Sequence, residues 1–98
     1  MPVYISPATW WEIAIKLRLN KLEIDTDLPT LLQLADDAFF ELLPITPVHA
    51  LQVSRLPYPV SGHRDPFDRL LIAQAQVENL ILLSRDGHFK EYTVRHEF

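Results

Sequence analysis

Four acidic residues stand where carboxylates are costly: Glu12 inside "TWWEIAIK", Asp65 and Asp68 at the front of "DPFDRLLIAQA", and Asp86 just after "LILLS". A carboxylate bordering surface meant for burial has to be capped, paired or bound to a cation. Each of the four has a plain local reading. Asp65 and Asp68 suit the N-cap and third position of a helix, where the backbone dipole favours negative charge. Glu12 lies four residues before Lys16 and suits an i,i+4 ion pair. Arg85-Asp86-Gly87 suits a turn. Their convergence is the alternative, because carboxylates from three separate segments repel one another unless a cation sits among them. Hard divalent ions such as Mg²⁺ or Mn²⁺ choose oxygen donors of this kind.

Arg64, Arg69 and Arg85 flank the acidic positions and are candidate contacts for a phosphate-bearing substrate. Solvated surface is their plain alternative, since most exposed pairs contribute little. The chain has four histidines, but no H-x-x-x-H or H-E-x-x-H spacing occurs, which argues against a zinc site. His63 and His88 read as loop residues within reach of a phosphate. Trp10 and Trp11 read as core or interface residues.

The elements that position these groups can be outlined from pattern alone. "VYIS" reads as a short strand, followed by a helix over "PATWWEIAIKLRLNK" with Ser6 as cap and Pro7 at its first position. That helix is apolar over most of its circumference and is expected to be largely buried. "LEI" reads as a connector or minor strand. A second helix, "LPTLLQLADDAF", opens at Asp27, and "FFELLPIT" reads as a strand. Thr46-Pro47 starts a short helix ending near Arg55, and Asp65-Pro66 starts a fourth ending near Glu78. "LILLS" and "TVRHEF" read as strands, with "RDGHFKEY" as a turn between them. Helices alternating with apolar strands predict an α/β sandwich around a parallel sheet. Sites in such sheets form at the carboxyl ends of strands, where residues 6–12, 65–68 and 84–86 are expected to fall.

Ninety-eight residues suit one domain. Without cysteine there is neither a disulfide framework nor a thiolate metal site. No segment has the pattern of a signal peptide or a membrane span, so the expected location is the cytoplasm. A net charge of −4 argues against a general nucleic-acid binder but is compatible with a nuclease whose carboxylates hold metal.

"ISPATWWEIAIKLRLNKL", "HRDPFDRLLIAQA" and "LILLSRD" resemble, in order, the PIN-domain family, and among its members the VapC-like toxins of bacterial toxin–antitoxin systems. The likeness runs from Val3 to Phe98. It implies a PIN-like three-layer sandwich and a Mg²⁺- or Mn²⁺-dependent ribonuclease restrained by a cognate antitoxin. By motif position, Glu12, Asp68 and Asp86 correspond to the acidic catalytic and metal-binding set, with Asp65 as an auxiliary ligand. The resemblance also implies a first strand, ending in an aspartate, and its crossover helices. These are expected ahead of Val3 but lie outside the sequence, a span of roughly 30 residues for a βαβ unit.

Two functional readings follow. One is a metal-dependent endoribonuclease, shortened at its N-terminus and impaired by loss of that aspartate. The other is a non-catalytic PIN-like module that binds an antitoxin or itself. Under either reading, a sheet lacking its central strand is expected to recruit cover. A homodimer or higher oligomer is therefore expected, with Trp10, Trp11 or Phe67 near the contact.

Overall fold

Proline sets where the helices begin. The computed structural model describes residues 2–58, 65–83 and 96–97. Each helix among them carries proline at its first or second position, where the missing N–H costs nothing and the fixed φ suits the helix. Contacts divide the chain into two units, residues 1–44 and 45–98.

The N-terminal unit contains β1 (Tyr4–Ile5), α1 (Pro7–Arg18), α2 (Leu28–Asp37) and β2 (Glu41–Leu42). Ser6 caps α1, its hydroxyl accepting from the N–H of Ala8 at 3.1 Å. The sequence suggests a helix continuing to Lys21, but the chain closes earlier because Asn20 turns into the left-handed region at φ 55°. The N–H groups of Asn20 and Lys21 then return to the carbonyls of Leu17 and Lys16 at 3.2 and 2.8 Å, satisfying acceptors that the helix end leaves open. Residues 22–24 form a connector and not a strand. Asp27 caps α2 by accepting from the N–H of Thr30 at 2.9 Å. At the other end Phe39 takes φ 62°, and Phe39 and Phe40 bond back to Asp36 and Ala35.

That closure shortens the strand expected over "FFELLPIT" to two residues. β1 and β2 pair in parallel, with Tyr4 opposite Glu41 and Ile5 opposite Leu42. The expected burial of α1 is not found: Ala8 is its one buried residue, and Trp11 is 64% exposed. A helix that is apolar all round needs cover on all sides. The N-terminal unit offers one short strand pair and one further helix, which cannot provide it.

The C-terminal unit contains α3 (Pro47–Arg55), α4 (Pro66–Glu78), β3 (Leu82–Leu83) and β4 (His96–Glu97). β3 and β4 also pair in parallel, Leu82 opposite His96 and Leu83 opposite Glu97. The architecture is thus mixed α/β with parallel strand pairs. The core of this unit is made by Leu56, Ile72 and Ala73, with Val53 against them. Two polar ties reinforce the α3–α4 contact: the Gln52 amide donates to Gln76 at 2.7 Å, and His49 bonds Glu78 at 3.0 Å. The Nδ1 of His49 accepts from the N–H of Thr46 at 3.0 Å, so Nε2 carries the proton donated to Glu78. Asn79 closes α4 at φ 54°, and the Leu80 N–H returns to Ala75 at 2.9 Å. No helix among the described residues is long and apolar enough to cross a membrane.

Candidate metal centre

Asp65 and Asp68 are placed by the start of α4. Asp65 is the N-cap, and its Oδ1 accepts from the N–H of Asp68 at 3.0 Å. Its main-chain carbonyl accepts the first bond of the helix, from the N–H of Arg69 at 3.0 Å. The capping reading of Asp65 is therefore correct as far as it goes, but it engages one carboxylate oxygen of two. Asp65 and Asp68 are both half-buried, and each offers a carboxylate oxygen within 4.8 Å of the other's. Two acidic groups this close, in the first turn of a helix, gain from the N-terminal backbone dipole and repel each other.

Glu12, in the N-terminal unit, lies in the second turn of α1. It makes the expected i,i+4 contact with Lys16, but loosely: Lys16 Nζ is 3.6 Å from Oε2. The Glu12 side chain is 22% exposed, less than an ordinary solvated pair. Asp86, Arg64 and Arg85 lie outside the described residues, as do His63 and His88.

Arg69, a candidate contact for substrate phosphate, is 5% exposed, and its guanidinium faces the end of α3. Nη1 donates to the carbonyl of Pro57 at 3.0 Å, and Nη2 donates to Leu56 at 3.0 Å and more distantly to Val53 at 3.5 Å. The ring of Tyr58 lies 4.2 Å from the guanidinium carbon. The planar, five-donor guanidinium suits this role as a lysine would not. The carbonyls at the α3 terminus and the aromatic face together offset its desolvation. His49 is the residue that the sequence reading passed over. Its signal was T-x-x-H in the place of the usual T-x-x-E/Q capping box, since an imidazole nitrogen can accept the N-cap N–H as a carboxylate does.

The donors brought together in α4 are oxygen-only and anionic, which suits a hard divalent ion and not zinc held by sulfur or imidazole. Comparison with protein families supplies the deciding observation: the PIN domain model matches residues 2–94. The chain belongs to the PIN-domain family. The match runs through both units, and membership points to a nuclease-type function. PIN domains are generally dependent on divalent metal, which agrees with the acidic pair of α4. No curated protein matches the chain.

Proposed function

We propose that this PIN-domain protein is a metal-dependent endoribonuclease and the VapC-like toxin of a toxin–antitoxin pair, acting in the cytoplasm as a single domain. The observation that carries this reading is the acidic pair Asp65 and Asp68 at the start of α4, in a chain whose PIN match spans nearly its whole length. Glu12, Asp68 and Asp86 act as catalytic ligands of Mg²⁺ or Mn²⁺, with Asp65 as an auxiliary ligand through the oxygen that its cap leaves available. A divalent ion there supplies a Lewis acid for the scissile phosphate and lowers the pKa of a water.

The protein's own groups do the rest. Asp65 and Asp68 concentrate negative charge at the start of α4, where the cap holds them. Lys16 lies against Glu12 at 3.6 Å and would have to give way if that carboxylate held a cation. Arg64 and Arg85 contact phosphates of the RNA. Cognate antitoxin is the expected restraint. Self-association is supported by the exposed stripe Trp11, Ile15 and Leu19 on one side of α1 and its cap, at the spacing that puts residues on one helix face.

The test is cleavage of a structured RNA by purified protein. We expect activity that requires Mg²⁺ or Mn²⁺, is abolished by EDTA, and falls at least roughly 100-fold in Asp86→Asn, the order expected when an electrostatic catalytic group is removed. Cleavage that persists in EDTA and in Asp86→Asn would overturn the reading. A monomer by light scattering at high micromolar concentration would overturn self-association alone.

A further inference from the structure

Arg69 occupies an unusual place for a buried cation: it immediately follows Asp68, in the turn that carries both acidic residues. Its backbone N–H donates to the Asp65 carbonyl and closes the first turn of α4. Its side chain runs the other way, to the carbonyls of Leu56 and Pro57 and the face of Tyr58. This direction is the natural one, because helical side chains lean toward the N-terminus and cover the turn before their own. One residue therefore ties the end of α3 to the turn of α4 that presents Asp65 and Asp68.

The electrostatics agree. A cation beside a metal-binding pair of carboxylates would weaken it by repelling the ion. Here the guanidinium is turned toward carbonyls at the negative end of the α3 dipole, which take up its charge. Its effect on the acidic pair includes a mechanical one, a first turn held in place by charge-assisted hydrogen bonds. Metal sites depend on such support, because ligands displaced by even half an ångström bind poorly.

We propose that Arg69 is a positioning residue that holds the Asp65–Asp68 turn in its metal-binding arrangement, an inference that rests on the divalent-metal reading above. Arg69→Lys tests it, since lysine keeps the charge but not the fork that spans the two carbonyls. Arg69→Gln serves as the second variant, keeping polarity without charge. Two measurements are made on each folded protein. Amide hydrogen exchange without metal compares Asp68, whose N–H reports the cap, with Ala73 in the middle of α4. Mn²⁺ affinity is then measured by calorimetry.

We expect faster exchange at Asp68 than the general change at Ala73, and Mn²⁺ affinity lowered roughly 10- to 100-fold, as when the support of a metal ligand is removed. Equal acceleration at Asp68 and Ala73 would mean that Arg69 stabilises the fold alone, and would overturn the proposal. Selective exchange with unchanged Mn²⁺ affinity would overturn it too. If the unaltered protein binds no Mn²⁺, the metal reading fails. Selective exchange at Asp68 would then still establish that Arg69 holds the turn, and its absence would overturn that as well.

Discussion

The two units bury their side chains very differently. In the C-terminal unit, α4 alone places Arg69, Ile72, Ala73, Gln74 and Ala75 out of solvent, and α3 adds His49. Among the described residues of the N-terminal unit only Ser6 and Ala8 are buried, while Trp11, Leu19, Leu34, Phe39 and Leu42 are exposed. An open cleft of about 140 Å³ lies among Ile5, Trp10, Leu32, Phe40 and neighbouring residues, in place of a filled core. Yet both units have well-formed helices. Local signals, meaning caps, prolines and left-handed closures, are enough to define an element. Burial of an apolar face needs a partner of matching size, and capping does not supply one.

The largest contrast should come from truncating one side chain in each unit. Ile72→Ala removes a fully buried side chain and should cost about 2–5 kcal/mol, as large-to-small core changes do. Trp11→Ala, although it removes far more atoms, should change the stability of the dilute, dissociated protein by about 0.5 kcal/mol or less, as surface substitutions do. Urea unfolding of both variants checks this. Equal losses would show that the α1 face is covered in solution, and the contrast between the units would then belong to the isolated chain alone.

A smaller effect is expected at the tie between α3 and α4. His49→Ala removes a buried ring, the acceptor for the Thr46 N–H and the donor to Glu78, and should cost about 0.5–3 kcal/mol, the range for most single changes, including a lost cap. His49→Gln should lose less, because glutamine at the third helical position can still accept from the N-cap N–H. Thermal melts of both variants decide the order. If glutamine proved as harmful as alanine, the bond to Glu78 and not the cap would carry the stability.

In the N-terminal unit one substitution should stabilise. Phe39 is 87% exposed and sits at φ 62°, a region that costs a residue with a Cβ about 1–2 kcal/mol. Phe39→Gly removes that cost but adds conformational entropy to the unfolded chain. We expect a net gain of roughly 0.5–1 kcal/mol, seen as a raised melting midpoint. A loss would show that the Phe39 ring makes contacts in solution worth more than the backbone strain.

The smallest effect is pH-dependent. The hydroxyl and then the backbone N–H of Thr30 hold the Asp27 carboxyl below its usual range. A carboxyl whose folded pKa is depressed contributes stability above its unfolded pKa of about 3.9, and that contribution is lost as pH falls through the lower folded value. Helicity should therefore fall in that acidic window by slightly more in the unaltered protein than in Asp27→Asn. Identical acid profiles in circular dichroism would show that the cap contributes nothing measurable.

The starts of all four described helices were legible, because Ser6-Pro7, Asp27 with Pro29, Thr46-Pro47 and Asp65-Pro66 each combine an acceptor with a fixed φ. Helix ends were less so. With glycine scarce, closure falls to Asn20, Asn79 and even Phe39, and an aromatic residue carries no sequence signal for a left-handed turn. In the N-terminal unit the strands are shorter than the sequence suggests, two residues each in β1 and β2, since β-branched and aromatic runs mark where a ladder is favourable and not how far a neighbour extends. For the site, Asp65 and Asp68 were found by their relation to one helix start. The burial of Arg69 has no signal in the sequence, because a charged residue is assigned to the surface by default and only the α3 carbonyls reveal why it is buried. Asp86, with Arg64 and Arg85, lies outside the described residues, so its place beside the acidic pair stands as a proposal.

That the carboxylates serve a divalent ion is tested most directly by the melting midpoint with and without Mn²⁺, for the unaltered protein and Asp68→Asn side by side. An ion that binds the native state raises the midpoint in proportion to its affinity, by about 2.7 kcal/mol of stability at a hundred times its dissociation constant. We expect a clear rise in the unaltered protein and none in Asp68→Asn. An equal rise in both, or none in either, would show that Asp65 and Asp68 are helix caps and nothing more.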